Sequence, residues 1–347
     1  MGYVIIGNSA AAIGCVEGIR SVDKTGEITL LSQERFHTYS RPLISYLLEG
    51  KTDLERMKYR PDSFYRDMGV DARLGVTVTA IRPREHKVVC ATGEEIPYDK
   101  LLVATGSAPF VPAIQGLEEV ERKFTFLSLE DAQALEAALT PESRVFILGA
   151  GLIGLKCAEG IAQRVKSVEV ADLAPQVLSS ILDETAARRV QAHLERQGLR
   201  FRLGDTAVRF EQGRAFLKSG GTLDFDVLVA AVGVRPNVAL VQAVGGQVGK
   251  GIVTDDTGLT TLPDVYAAGD CCESADLATG EHRVLALLPN AYLQGECAGK
   301  NMAGSPARFD QAVAMNAMGL FGLHLNTAGT YRGEALLQHD GGDYKAY

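Results

Sequence analysis

Apolar residues in this chain fall into short unbroken runs. Each run closes on small residues, and a stretch with helical spacing follows. The fullest example is Val145-Phe146-Ile147-Leu148, which leads straight into Gly149-Ala150-Gly151-Leu152-Ile153-Gly154 and then a small-residue helical pattern from Leu155 to Ile161. A continuous apolar run of that length predicts a strand buried on both faces. Tyr3-Val4-Ile5-Ile6-Gly7 repeats the plan, with a helix to about Ser21 and a second strand from Glu27 to Leu31. Three alternating segments, Val76 to Ile81, Lys87 to Cys90 and Glu95 to Tyr98, predict short antiparallel strands. Leu101-Leu102-Val103-Ala104-Thr105-Gly106 ends a buried strand on small residues, and Val227-Leu228-Val229-Ala230-Ala231-Val232-Gly233 does the same. Helices are predicted near Leu129 to Leu139 and Asp183 to Gln197, with hairpins through Phe225. A strand within Thr261 to Asp270 ends in Gly-Asp, and Pro289 opens a helix to about Ala303.

The same order therefore occurs twice: glycine turn, hairpin insert, then a strand ending in A-T-G or A-V-G. That is an internal duplication. The second copy spans about Glu118 to Pro236.

The glycine turns carry the chemistry. G-x-G-x-x-G between a strand and a helix is a dinucleotide fingerprint. Gly149 permits the tight turn, Gly151 lets the backbone approach a pyrophosphate, and Gly154 lets the helix pack on the strand. The helix N-terminus offers free N–H groups to phosphate. Asp172, just past the strand Ser167 to Ala171, suits a ribose 2′-hydroxyl and repels a 2′-phosphate, favouring NADH over NADPH. The other reading is a glycine-rich turn without a ligand. In the first copy the fingerprint is degraded: Gly7 holds the turn, Ser9 and Ala12 take the other glycine positions, and Glu34 is the ribose acid. Alone it could be an ordinary strand–turn–helix. Arg41 could neutralise a pyrophosphate or be a surface arginine before Pro42, and Asp270 could hold a ribityl hydroxyl. The helix opening at Pro289 can favour negative charge on a nearby ligand.

Composition narrows the partners. The chain has 347 residues, 46% of them hydrophobic, with net charge −8 and pI about 5.4. Two or three domains are expected, and the charge gives no reason to expect nucleic acid or an acidic membrane surface. No apolar run is long enough to span a membrane. The first strand begins at Tyr3, leaving no room for a targeting segment. The six cysteines, Cys15, Cys90, Cys157, Cys271, Cys272 and Cys297, form no C-x-x-C and read as buried or free thiols in a reducing, cytoplasmic setting. Residues 51–68 mix Lys51, Arg56, Lys58, Arg60 and Arg66 with four acids, as a solvated face or a docking patch. No metal site is expected.

The motifs V-I-I-G-N-S-A-A-A, Y-S-R-P-L, L-L-V-A-T-G, I-L-G-A-G-L-I-G, A-V-G-V-R-P-N and V-Y-A-A-G-D cover residues 3 to about 304. Together they resemble the FAD/NAD(P) pyridine nucleotide-disulfide oxidoreductases, in particular the NADH:rubredoxin and ferredoxin reductases and the flavin module of NADH-dependent nitrite reductases. The resemblance implies an α/β protein with two Rossmann-like three-layer dinucleotide-binding domains. FAD would sit in residues 1–110 and 237–308, NADH in 111–236, and a C-terminal α+β interface domain would open at 309–347. FAD contacts carry over to Gly7, Ser9, Ala10, Glu34, Arg41, Pro42, Val78 (adenine, through its backbone), Ala104, Thr105, Gly106, Gly269 and Asp270, with the helix at Pro289 aimed at the flavin pyrimidine. NADH contacts carry over to Gly149, Gly151, Gly154, Asp172 and Gly233.

Three departures matter. Disulfide-reducing members carry a cysteine at the flavin soon after the first ribose acid; here none lies between Cys15 and Cys90, so electrons are expected to pass from flavin to an outside acceptor. Cys271 and Cys272 read as packing residues. Many members place a lysine four residues after the R-P proline and a glutamate two residues after the last fingerprint glycine, near flavin N5; here these are Tyr46 and Lys156. Lys156 then supplies the cation beside the flavin, with Glu159 one turn on as its partner, or it turns to solvent. Finally, Met315 to Gly329 resembles the opening of the interface domain, and the sequence stops at Tyr347 partway through what should be a sheet, implying a truncated domain. The implied activity is NADH oxidation through FAD, with nicotinamide stacked on the flavin, and electron delivery to a rubredoxin- or ferredoxin-type protein. Alternatives are a dioxygen-using NADH oxidase, an electron-input module of a nitrite-reductase-like assembly, and a non-enzymatic redox-dependent flavoprotein. The oligomeric state stays open, a homodimer included.

Overall fold

The computed structural model describes residues 1–330, 337–340 and 343–346. The chain divides into two compact units. One comprises Met1–Ser40, Met57–Ala108 and Pro236–Met315; the other comprises Arg41–Arg56, Pro109–Arg235 and Asn316–Tyr347.

The first unit is built on a five-stranded sheet in the order Val70–Leu74, Glu27–Ser32, Gly2–Ile6, Lys100–Val103, Val265–Ala267, with every pairing parallel. Both faces are covered over the inner strands, which are mostly apolar: Val4, Ile5, Leu30, Leu31, Leu101, Leu102 and Val103 are buried. One face carries the helix Ala10–Val22, which packs on the helix Leu288–Met302. Their glycines make this contact possible. A Cβ on Gly14 would lie 2.2 Å from the Tyr292 carbonyl oxygen, and one on Gly295 would lie 1.9 Å from that of Ala11. Gly18 and Gly299 meet Glu296 and Cys15 in the same way, at 2.4 and 2.3 Å, so the two backbones touch through reciprocal G-x-x-x-G faces. A three-stranded antiparallel insert, Val78–Arg82, Lys87–Cys90 and Glu95–Pro97, lies where the alternation predicts it.

The second unit repeats this plan. Its sheet runs Arg200–Leu203, Ser167–Asp172, Arg144–Leu148, Val227–Ala230, Lys123–Phe124, again all parallel. Its insert is Ala207–Glu211, Arg214–Leu217 and Thr222–Asp224. The copies differ in the origin of the outermost strand: Val265–Ala267 follows the rest of its sheet in sequence, whereas Lys123–Phe124 precedes its own.

Two further segments complete the second unit, Arg41–Arg56 and Asn316–Tyr347. The short helix of the first, Ile44–Leu48, lies against the helix Leu152–Ile161, where a Cβ on Gly160 would come within 2.9 Å of the Ser45 carbonyl oxygen. Arg164 Nη1 donates to the Leu48 carbonyl at 3.0 Å. At the other end, the hairpin Met315–Leu320 and Leu323–Ala328 is followed by a second, Leu337–Asp340 and Asp343–Ala346. The predicted strand within Thr261–Asp270 narrows to Val265–Ala267, and the strand Val70–Leu74 went unpredicted because its residues are only half apolar.

Candidate functional site

Each copy closes its first strand with the same backbone device. Gly7 has φ +126° and Gly149 has φ +110°, both in the range that favours glycine. The Gly7 N–H donates to the Leu31 carbonyl at 2.8 Å, and that of Gly149 to Ala171 at 2.7 Å. A Cβ at Gly7 would sit 2.2 Å from the Ala104 carbonyl oxygen, and one at Gly149 2.2 Å from that of Ala231. The A-T-G and A-V-G strand ends are thus the walls against which the two glycine turns are pressed. Neither turn tolerates a side chain.

Gly151 is different. Its φ of −81° is ordinary, and a Cβ there would meet no atom within 4 Å. Nothing in the protein requires glycine at that position, whereas a ligand lying against the backbone does. Gly151 caps the helix Leu152–Ile161 without a side-chain hydrogen bond, and the first turn holds no acid. The amides of Leu152, Ile153 and Gly154 therefore lack intrahelical acceptors, an arrangement suited to an anion such as a pyrophosphate. Gly154 is required by packing, since a Cβ would lie 2.0 Å from the Gly149 carbonyl oxygen. Asp172 ends the next strand; its Oδ2 accepts from the Ala150 N–H at 2.7 Å and its Oδ1 from Ala174 at 2.8 Å. Each oxygen keeps a second acceptor site for a ribose hydroxyl. Gly233, with φ +128°, leaves open space at the end of the A-V-G strand. A dinucleotide fits this donor set.

In the first copy, Ser9 caps the helix Ala10–Val22 without a side-chain bond, leaving the amides of Ala10, Ala11 and Ala12 free of intrahelical acceptors. Tyr39 donates its hydroxyl to Glu34 Oε2 at 2.6 Å and so holds that carboxylate in place. The turn is tied down through Asn8, whose Nδ2 donates to the Phe36 carbonyl at 3.2 Å and whose Oδ1 accepts from Tyr65 at 2.8 Å. Burial pushes the Tyr65 phenol up from its ordinary pKa. Beside this network, the buried atoms His37 Nε2 and Thr38 Oγ1 have no partner. Gly106, at φ +62°, opens onto free space, and Gly269, at φ +85°, donates its N–H to Gln294 Oε1 at 2.6 Å. Val78 begins the first strand of the insert, Asp270 follows Gly269, and Pro289 lies in the first turn of the helix Leu288–Met302. The open turn, the free helix amides and the orphaned polar atoms fit a second dinucleotide. Asn8, Tyr39, Tyr65 and Gln294 are not among the residues expected from the sequence, although Asn8, inside V-I-I-G-N-S-A-A-A, and Tyr39, inside Y-S-R-P-L, carry a signal.

Arg41 and Pro42 open a short 3-10 turn in the second unit, and Arg41 Nη1 donates to the Leu127 carbonyl at 3.2 Å. Lys156 does not turn to solvent. Its ammonium pairs with Glu159, donates to the Gly319 carbonyl at 3.2 Å and lies 4.2 Å from the centre of the Tyr46 ring. Two oxygens thus accept from the ammonium, and the Tyr46 ring lies against it. The Glu159 side chain is only 3% exposed, and its other oxygen accepts the Phe321 N–H at 2.5 Å. His193 Nε2 donates to the Phe321 carbonyl at 3.0 Å. Lys156, Glu159 and His193 together fix the turn of the first C-terminal hairpin.

All six cysteines are free and buried. Burial drives the Cys15 and Cys157 thiols far above their ordinary range and raises Cys297 to about 11. In the 51–68 stretch the cations are neutralised locally: Lys51 by Glu49, Arg56 by Asp53, Lys58 by Asp62, Arg60 by Glu17 and Arg66 by Asp67. That arrangement describes a solvated face. Among the described residues there is no cluster able to hold a metal ion, and no helix is long and apolar enough to cross a membrane.

Two parallel-sheet nucleotide folds, each with a fingerprint turn and a meander insert, define a flavin- and nicotinamide-dependent oxidoreductase of the double-dinucleotide type. The chain belongs to the pyridine nucleotide-disulphide oxidoreductase family, whose model matches residues 1–295. An NADH oxidase of Methanocaldococcus jannaschii is 34% identical over 321 residues, covering 89% of this chain and 71% of the relative. The rubredoxin-NAD(+) reductase of Pseudomonas putida is 29% identical over 311 residues, covering 88% of this chain and 80% of that protein. The solved covalent complex of putidaredoxin reductase with putidaredoxin superposes with a TM-score of 0.93 at 23% identity, covering 100% of this chain and 86% of that one, and so shares the fold. The cofactors are FAD and a nicotinamide dinucleotide.

Proposed function

We propose that this chain passes electrons from NADH, through FAD, to a small external redox protein of the rubredoxin or ferredoxin type, without a thiol relay. The observation that carries the reading is the state of the cysteines: all six are buried and unpaired, so the chain offers no sulfur for a substrate disulfide. The relative named for rubredoxin reduction supports it. Bound FAD would supply the chemistry that accepts two electrons from a reduced nicotinamide and releases them singly.

The residues around the cofactors bind and orient. The amides of Leu152 to Gly154 hold the nicotinamide dinucleotide's pyrophosphate, and Gly151 gives it room. The Asp172 carboxylate takes the adenosine ribose and rejects a 2′-phosphate, which favours NADH. Gly7, Ser9, Ala10, Glu34 and Ala104 to Gly106 do the same work for FAD, with Gly269, Asp270 and Pro289 towards its flavin end. Lys156 is assigned the positive charge beside the flavin; Lys156→Glu is expected to slow NADH-driven flavin reduction.

The test is anaerobic stopped-flow reduction by NADH, followed by mixing with rubredoxin, ferredoxin or dioxygen. Rapid reoxidation by one of the two proteins, and slow reoxidation by dioxygen, is the expected result. A second reading, an NADH oxidase, is favoured by the Methanocaldococcus jannaschii relative. It predicts sustained NADH turnover in air with no added protein.

A further inference from the structure

We propose that Asn237 is the positioning residue that sets the turn Thr105–Gly106 for FAD, without touching the cofactor itself. The inference rests on the reading that the first copy holds FAD. It goes beyond that reading by naming what holds the turn in shape.

Three hydrogen bonds join Asn237 to the turn. The Thr105 hydroxyl donates to the Asn237 carbonyl at 2.8 Å. Asn237 Nδ2 donates to the Thr105 carbonyl at 2.8 Å. The Asn237 N–H donates to the Gly106 carbonyl at 2.9 Å. Two successive carbonyls and the only side-chain hydroxyl of the turn are therefore directed to one residue. Gly106 has φ +62°, and a Cβ there would meet nothing within 4 Å. The turn is thus polar towards Asn237 and bare towards open space.

This division matters because a flavin and its phosphates are rich in acceptor atoms. A carbonyl oxygen aimed at them would repel, and each carbonyl here is engaged elsewhere. The strand beneath is fixed independently: the Ala104 N–H donates to the Ile6 carbonyl at 2.8 Å, and Cys271 Sγ donates to the Val103 carbonyl at 3.4 Å. The two residues after Ala104 are the ones that Asn237 engages. Asparagine suits the position because its side chain can donate. Aspartate there would set a carboxylate oxygen against the Thr105 carbonyl, a lone pair facing a lone pair, so Asn237→Asp should be worse than Asn237→Ala.

The experiment compares wild type, Asn237→Ala, Asn237→Asp and Thr105→Val. FAD affinity is measured by titrating apoprotein, alongside apoprotein melting, the visible spectrum of bound flavin and its midpoint potential. The proposal expects FAD Kd to rise about tenfold or more in Asn237→Asp, less in Asn237→Ala and least in Thr105→Val. It also expects a shifted flavin spectrum or potential, which a general loss of stability would not produce. A folded Asn237→Asp protein that binds FAD within twofold of wild type, with an unchanged spectrum, overturns it. Should both Asn237 variants fail to fold, Asn237→Ser, which keeps the backbone bonds and removes only the amide donor to the Thr105 carbonyl, decides: a weakened FAD affinity with an unchanged apoprotein melt supports the role, and unchanged affinity sinks it. Wild-type chain that takes up no FAD overturns the cofactor reading and this inference together, whereas FAD uptake indifferent to Asn237 overturns the inference alone.

Discussion

Replacing Glu159 by alanine tests whether the cluster around Lys156 is a built part of the second unit. The Glu159 side chain is 3% exposed and that of Lys156 17% exposed. The substitution leaves an ammonium largely out of water with no counter-ion, and it strips the Phe321 N–H of its acceptor. Removing one partner of a buried ion pair costs about 3–5 kcal/mol; the residual exposure of Lys156 argues for the low end, about 3 kcal/mol. For a folding unit of roughly 150–250 residues each kcal/mol moves the melting point by about 2–4 °C, so the transition of this unit should fall by about 10 °C. Scanning calorimetry of the holoprotein with one variant at a time reads this directly. The double variant Lys156→Met with Glu159→Gln should recover most of the loss, because well-packed neutral groups often replace a buried pair at little cost. A coupling of about 2 kcal/mol between the sites is expected from the double-mutant cycle. If Glu159→Ala shifts the melt by less than about 2 °C, the ammonium is solvated and the cluster does not hold the hairpin.

Other outcomes follow from the same geometry. Asp172→Ala should raise KM for NADH and improve use of NADPH, because the carboxylate that repels a 2′-phosphate is gone; unchanged coenzyme preference in steady-state assays would assign selectivity elsewhere. Gly149→Ala should give little folded protein, since its Cβ would lie 2.2 Å from the Ala231 carbonyl oxygen at φ +110°, and a normal melting profile would contradict that crowding. The Arg144 guanidinium, bonded through two nitrogens to Asp226, holds that carboxyl at about 2. A depressed carboxyl pKa stabilises the fold above its unfolded value, about 3.9, and the contribution fades as pH falls through about 2. The melting difference between wild type and Asp226→Asn should therefore be constant from neutral pH to about 5 and shrink towards pH 2; a difference that grows on acidification would refute the pairing. Treatment with a thiol-alkylating reagent under native conditions should leave NADH-driven flavin reduction intact, because all six sulfurs are buried. Rapid inactivation protected by NADH would point to a reactive thiol at the site.

What the sequence disclosed, and what it hid, follows from the range of the forces involved. The strands Gly2–Ile6 and Arg144–Leu148, their glycine turns and the following helices were legible because each rests on local rules: apolar runs, glycine at positive φ, and a helix start. The helix Glu184–Arg196 was read almost to its ends because Asp183 caps it, accepting from the Thr185 and Ala186 amides. The membership of Arg41–Arg56 was not legible, since it depends on a close approach of Ser45 and Gly160 that no local pattern encodes. Lys156 was foreseen with Glu159 as a partner three residues along one helix face, whereas Gly319, Phe321 and Tyr46 come from far along the chain. Asn237 lies inside a recognised motif, yet its bonds to Thr105 and Gly106 span more than a hundred residues.

The interlocked glycines of the Ala10–Val22 and Leu288–Met302 helices have a consequence for synthesis of the protein. The first sheet also needs the strand Val265–Ala267, so the fingerprint at Gly7 is synthesised before the second sheet and completed only after it. Every strand of the second sheet lies between Lys123 and Ala230, and that sheet can close while the other still waits. Between the synthesis of Ala10–Val22 and that of Leu288–Met302 the nascent chain carries the apolar flank of the first of these helices, including Ala11, Cys15 and Gly18, with no mate to cover it, and this is the stage at which a chaperone would find most to hold.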